Sequence, residues 1–468
     1  MSDHTDVLVV GGGIAGLAAA DRVAGLRGRE SVRLLEGAPR LGGKILTERV
    51  DGFVLEGGPD CFLASKPAGI TLCRHLGIED GLHGTDPRFK RSYVKRDGRL
   101  HELPDGITGL VPSRIGPLMS TRLLSVRGRA RAALELFVPP RRDGDDESIA
   151  QFASRRFGRE AYDWLIEPLL GGIFAGDGAT LSLAATFPQL RDAERRDGAI
   201  LRLMLRQRLR GPAAPGAARP LGFVTPAGGL GELVAALRAR LDGRLATHAR
   251  VTTVMREDGS WRVGLADGRS LTARSVILAV PAFAAAELLE RTDAVLATEL
   301  RGIPFASTAT VSVAFPAEAI RQPFPGYGYV SPRAEGDSVV ACTWTSNKFR
   351  ARVPADGVLL RFFVGRAGHA DVMGLDDEAL KALVRRELAA VHGIVAEPAL
   401  WRIYRWPSGM PQYTIGHRER TSRIARRVEA LPGLALAGAS YDGVGLPDCI
   451  ASGWAAADRL AAQPPAAA

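Results

Sequence analysis

A short apolar run at residues 6–10 (Asp-Val-Leu-Val-Val) leads without a break into Gly11, Gly12, Gly13, Ile14, Ala15 and Gly16. A helical pattern follows over 17–26, then a second apolar run at 31–35 that ends on Glu36. The order reads as strand, glycine turn, helix, strand: a βαβ unit carrying a dinucleotide fingerprint in its proper context. The glycines let main-chain N–H groups approach a pyrophosphate, and the helix start adds the positive end of its dipole. Glu36 falls where a carboxylate can accept a hydrogen bond from a ribose hydroxyl. Gly11, Gly12, Gly13, Ile14, Ala15, Gly16, Glu36 and Gly37 are therefore expected to contact a nucleotide cofactor.

The 468 residues leave room for two or three domains at ~150 residues each. An apolar share of 46% and a charged share of 24% exclude a disordered tail and a fibrous repeat. The net charge of +10 favours anionic partners: a membrane surface, nucleic acid or a carboxylate-rich substrate. Only six of the 61 basic residues are Lys, and so strong an Arg skew is weak evidence for nucleic acid. The four cysteines form no CxxC pair and fit neither a zinc site nor a disulfide framework, so no metal is expected and a reducing cytosol is the simplest compartment. The first six residues are polar with no basic start, unlike a secretory signal. No apolar run reaches the ~18 residues of a membrane span, so any membrane contact is expected to be peripheral.

Further along, apolar patterns predict strands at 245–254, 261–265, 275–280, 309–315, 358–364 and 434–436. Residues 161–170 and the Arg-rich 190–210 read as helical, and 376–392 as an amphipathic helix. Residues 211–220, rich in Gly, Ala and Pro, read as a flexible connection, and 464–468 as a frayed end.

Three more glycine segments carry chemistry. Arg40, Leu41, Gly42, Gly43 and Lys44 follow Glu36; the doublet lets the chain pass close to a flat cofactor, and the flanking bases can meet its phosphates. After a dinucleotide fold this favours flavin over nicotinamide. Glu56, Gly57, Gly58, Pro59 and Asp60 form a second close-approach turn. The third, 437–448, includes Gly443, Val444, Gly445 and Leu446 and leads into a helix start.

These segments, with the Val-Ile-Leu-Ala-Val-Pro strand at 276–281, resemble the amine-oxidase-like flavoproteins in their order. The strings at 56–63, 172–177, 183–188, 410–417 and 443–449 look like those of oxygen-dependent protoporphyrinogen and coproporphyrinogen oxidases. The resemblance implies an α/β (α+β mixed) chain. It combines a Rossmann-like FAD-binding domain (1–85, 222–281 and 431–468), a substrate domain with a mixed β-sheet (86–94 and 282–430) and an inserted helical domain (95–221). It implies non-covalent FAD, and the six-electron oxidation of a porphyrinogen in three flavin cycles, with O2 as acceptor and H2O2 released. A C–H hydride donor needs a pocket against flavin N5 rather than an elaborate acid–base set. The absence of a Ser–His–Asp pattern agrees with that.

The same resemblance extends the flavin contacts to Arg40, Gly43, Lys44, Gly57, Gly58, Pro59, Asp60, Val251, Trp401, Val444, Gly445 and Leu446. It lines the substrate pocket with Leu169, Gly172, Ile173, Tyr327, Val330 and Met410, and assigns propionate binding to Arg91 or Lys66. His101 and His417 read as structural, and Cys449 as a small buried residue. Strings at 341–345, 410–413 and 445–448 favour coproporphyrinogen III, whereas the Arg91 neighbourhood looks more like the protoporphyrinogen IX type. A carotenoid desaturase, an amine oxidase (with Tyr441 alone where an aromatic cage would stand) and a silent flavin scaffold are the remaining readings. A cytoplasmic enzyme is expected. Contact with the inner face of a membrane through 112–124 and 190–210, and handover of product to a ferrochelatase, stay open.

Overall fold

The computed structural model describes residues 4–104, 107–108, 111–112, 115–202, 222–368 and 372–462. Strand His4–Val10 is buried over its second half because parallel neighbours cover both its edges and helices cover both its faces. It lies between Val32–Leu35 and Ser270–Leu278, with Val9 opposite both Leu34 and Ile277. The sheet runs Leu245–Ala246, Val32–Leu35, His4–Val10, Ser270–Leu278, Ser260–Leu265, Val251–Glu257, and Leu434–Leu436 pairs in parallel with the end of Ser270–Leu278.

Helices Ile14–Arg27 and Leu446–Ala461 cover one face, pressed so close that a Cβ on Gly453 would overlap the Ala15 carbonyl. The other face is covered by Ala282–Leu289, Ala294–Arg301 and the buried Ile424 and Val428 of His417–Glu429. Residues 282–303 and this last helix thus pack on the nucleotide sheet, beyond the limits expected at 281 and 431. The strand expected over 245–254 is two strands. The chain turns at His248 (φ 55°), where His248 N–H bonds Ala38 O and Ala249 N–H bonds Glu36 O, hooking it across the sheet end.

A second sheet runs Leu400–Pro411, Phe305–Pro316, Gly357–Val364, Val339–Trp344, Gly328–Val330, Ser92–Arg96, Arg99–Glu102. All its pairs are antiparallel except Gly328–Val330 with Ser92–Arg96. The hairpin of Ser92–Arg96 and Arg99–Glu102 belongs wholly to this sheet, so a boundary at 94 would cut a strand. Helix Asp377–His392 packs its Leu380, Val384 and Leu388 on the sheet; Asp376 caps it by accepting Ala379 N–H at 2.8 Å.

Between these units lies a helical layer around Ile149, Phe152, Leu165 and Leu170. Residues expected as one helix over 161–170 are divided: the turn widens over Tyr162–Ile166 before Glu167–Phe174, where Pro168 has no N–H to give. Arg156 and Glu135, both fully buried, form an ion pair, and Glu135 also accepts the N–H groups of Ile200 and Leu201. The Arg-rich stretch is helical over Pro188–Asp197; residues 203–220, with the expected connection, and 464–468 lie outside the described residues.

Candidate active site

The nucleotide end is built by the first βαβ unit. Gly11 (φ 107°) turns the chain so that a Cβ would meet Ala279 O at 2.6 Å, and a Cβ on Gly16 would overlap the Gly11 carbonyl. Gly13, by contrast, faces open space. It stands at the N-terminus of Ile14–Arg27, where the first-turn N–H groups lack helical partners. Glu36 accepts Gly12 N–H at 2.6 Å and Ala38 N–H at 2.7 Å. Its remaining lone pairs can still take a ribose hydroxyl. Gly37 rests on Arg250, next to Val251.

The glycine doublet sits beside this turn: Gly42 N–H bonds Gly12 O at 2.8 Å, and Gly43 is packed on Gly13. Arg40 holds the loop shape by donating to Gly43 O at 2.6 Å and Ile45 O at 2.9 Å. Lys44 differs. Its ammonium is drawn into the protein, burial lowers its pKa, and it finds no acceptor among the described residues.

Residues 57–60 form the next wall, so close that a Cβ on Gly58 would overlap the Lys44 carbonyl. Their carbonyls are held from behind. Gly57 O accepts Trp406 Nε1 and Thr310 Oγ1, each at 2.8 Å; Gly58 O accepts Arg361; Asp60 O accepts Arg352 at 2.7 Å. Asp60 also takes Lys348 Nζ at 3.0 Å. Burial would raise its carboxyl, but Lys348, Arg361 and Arg352 hold it below the usual carboxylate range. The same burial, together with Asp60, pushes the Cys61 thiol up to about 12.

The C-terminal segment closes the cradle. Tyr413 OH donates to Ala439 O at 2.6 Å and accepts Gly443 N–H at 2.8 Å. His417 stacks on Tyr413 at 4.1 Å and bonds Tyr441 O, so it is structural, as expected. Gly445 precedes helix Leu446–Ala461, and Asp448 of its first turn accepts Gly445 N–H at 3.2 Å. Cys449 is buried and free, and burial pushes its thiol up to about 11.

Leu169, Val330 and Val444 each pack against the core of the helical layer. A Cβ on Gly172 would reach Val330 Cγ1 at 3.5 Å, and Ile173 beside it is 41% exposed. Gln412 donates to both Met410 O and Phe174 O, which ties Met410 to the same helix end. These residues lie at the apolar edge of the helical layer. Tyr327, also expected in the substrate pocket, has its OH on Asp86 O and its N–H on Arg91 O.

Three expected residues fall elsewhere. Trp401 lies on the helix side of its strand, bonded to Glu397 and under Arg385; strand alternation turns Trp406 toward Gly57 instead. Trp406 is the residue that sequence reasoning missed, and it lies on the opposite face of the same strand. Lys66 is committed to Asp448, with Nζ at 2.6 and 2.7 Å from its two carboxylate oxygens, and so staples the loop after the turn to the C-terminal helix. Arg91 is 61% exposed and faces Glu102 at 3.5 Å, on the outside of the hairpin.

The residues present fit a flavin dinucleotide: an open Gly13 at a helix start, a cation with no acceptor among the described residues, and a turn whose Gly57, Gly58 and Asp60 carbonyls are engaged by the protein. Among the described residues no cluster of His, Cys, Asp and Glu could hold a metal, and no helix is long and apolar enough to cross a membrane. Fold and cradle together define a flavin-dependent oxidoreductase. The family model described as flavin containing amine oxidoreductase matches residues 14–461, and the chain belongs to that family. It is 36% identical to coproporphyrinogen III oxidase of Bacillus subtilis (strain 168), over 97% of this chain and 98% of the relative. It is 29% identical to a chloroplastic protoporphyrinogen oxidase of Oryza sativa subsp. japonica, over 97% and 88% of the two chains. A solved structure from Exiguobacterium sp. 255-15, 32% identical, superposes with a TM-score of 0.86 over 98% of both chains.

Proposed function

We propose that the protein binds FAD non-covalently and oxidises coproporphyrinogen III to coproporphyrin III in heme biosynthesis, using three O2 and releasing three H2O2. The observation that carries this is the apolar edge of the helical layer, where Leu169, Val330 and Val444 pack on its core and Gly172, beside Val330, carries no side chain. When bound, FAD supplies the hydride acceptor and passes the electrons to O2. The chain's part is to hold the macrocycle against it and to exclude water. Cys449, buried and held as a thiol, does not favour a covalent link. The names of the similar proteins support a porphyrinogen as substrate, and coproporphyrinogen III is the name carried by the Bacillus relative.

The test is anaerobic loading of the flavin-bound protein, followed by air and either coproporphyrinogen III or protoporphyrinogen IX, with porphyrin fluorescence and H2O2 followed together. Faster turnover of coproporphyrinogen III is expected. A preference for protoporphyrinogen IX would reassign the substrate, and a yellow protein inert to both would sink the reading.

A peripheral contact with anionic membrane is a second reading, favoured by one patch. Val126 and Phe137 are 73% and 80% exposed, on a stretch that also carries Arg127, Arg129 and Arg131. Co-flotation with phosphatidylglycerol vesicles at low salt is expected, and its absence would remove the reading.

A further inference from the structure

Five charged side chains gather behind residues 57–60: the buried Glu56, Arg352 and Arg361, and the partly buried Asp60 and Lys348. Arg352 reaches Glu56 Oε1 at 3.3 Å, Asp60 O at 2.7 Å and Thr225 Oγ1; Lys348 reaches Asp60 and Cys61 Sγ; Arg361 reaches Gly58 O. Three cations meet two anions, so the group carries an excess positive charge. Folding alone does not call for such an excess. Removing charge from water is costly, and an uncompensated cation is the costliest arrangement. The Nε atoms of Arg352 and Arg361 are buried with no partner, which adds to that cost.

The cradle shows what the excess charge faces. On the reading of this cradle as a flavin site, the fingerprint and Glu36 take the nucleotide end of the cofactor, and its ring end extends past Gly43 and Lys44 to residues 57–60. The cations hold the carbonyls of Gly58 and Asp60, while Trp406 and Thr310 hold that of Gly57. In a trans peptide the N–H points opposite to the C=O. The N–H groups of Gly58 and Cys61 therefore face away from these donors, and neither has an acceptor among the described residues. A donor at the carbonyl end strengthens the N–H end of the same peptide. Of the two cation-held carbonyls only that of Asp60 shares its peptide with an N–H, because Gly58 is followed by Pro59; the charges of Lys348 and Arg361 reach the other side of the turn through space.

We propose that Lys348, with Arg352 and Arg361, acts across the turn at residues 57–60 to raise the two-electron midpoint potential of the bound flavin, and that Asp60 sets how far. Each hydride from the substrate brings two electrons and one proton, so the ring system gains one negative charge. A positive potential at low dielectric favours that change. These are positioning residues that act on the flavin through the field they impose. The proposal rests on the reading of residues 57–60 as a wall of the flavin site.

The test is the flavin midpoint potential, measured against reference dyes in anaerobic, fully flavin-loaded protein. Lys348→Met is expected to shift the reduction equilibrium at least tenfold toward the oxidised form, about 30 mV lower for a two-electron couple. Asp60→Asn is expected to shift it the opposite way. The double variant, which removes one charge of each sign, should return to within about threefold of the parent. If Lys348→Met does not fold, Asp60→Asn and the double variant still decide. Potentials within threefold of the parent in all variants, or shifts of one sign in both single variants, would overturn the proposal and leave the flavin site standing. A parent protein that takes up no flavin would overturn both.

Discussion

The indole N–H of Trp406 and the carbonyl of Gly57, 349 residues apart in sequence, meet at 2.8 Å and fix the second sheet to the glycine turn at residues 57–60. Thr310 Oγ1 shares that carbonyl, so loss of the indole leaves it with one partner. Trp406→Phe is expected to cost about 1 kcal/mol of stability and to weaken flavin retention. Urea unfolding and flavin content after gel filtration measure both. A variant as stable and as yellow as the parent would show that the contact matters to neither.

Gly13 and Gly16 separate the needs of the cofactor from those of the fold. A Cβ on Gly16 would overlap main chain, whereas one on Gly13 meets nothing within 4 Å. Gly16→Ala is expected to cost about 3 kcal/mol or more. Gly13→Ala should keep the apoprotein as stable as the parent while lowering its affinity for FAD at least tenfold. Thermal unfolding of apoprotein and a flavin titration distinguish them; an unchanged affinity in Gly13→Ala would move the pyrophosphate away from this helix start.

The fully buried Arg156 and Glu135 anchor the helical layer. Removing one partner leaves a charge in the interior, so Arg156→Met is expected to destabilise by about 3–5 kcal/mol. Arg156→Met with Glu135→Leu should be milder in stability than Arg156→Met alone, though the N–H groups of Ile200 and Leu201 then lose their acceptor. Denaturation of the three proteins side by side checks the order.

His392 carries the clearest pH dependence. Burial among Phe324, Tyr329 and Trp344, with Lys95 near, pushes it from 6.5 down to about 4. The folded state therefore keeps the ring neutral where the unfolded state takes a proton. Its contribution is complete above pH 6.5 and is lost as the pH falls toward 4, amounting to about 3 kcal/mol at most. His392→Gln is expected to flatten the fall in urea midpoint between pH 6.5 and 4.5 relative to the parent. Parallel curves for the two proteins would assign the acid sensitivity to other groups.

What the sequence determined by itself is local and periodic. Strand His4–Val10, the glycine turn, helix Ile14–Arg27 and the acid at Glu36 are legible because each is specified by residues a few positions apart. The same holds for Asp377–His392, where the cap and the apolar stripe lie within one segment. Tertiary structure decided the rest. Trp401 and Trp406, opposite Val313 and Thr308 on an unbroken stretch of the ladder, face opposite ways, and which of them meets Gly57 is set by the face of the sheet that packs on that turn. Lys66 looked free for a carboxylate of the substrate until the fold brought Asp448, 382 residues away, to 2.6 Å. Lys348 and Asp60, 288 residues apart, show no pattern in either of their own segments. A charge's partner is set by which distant strands and loops close on it, and no local periodicity records that.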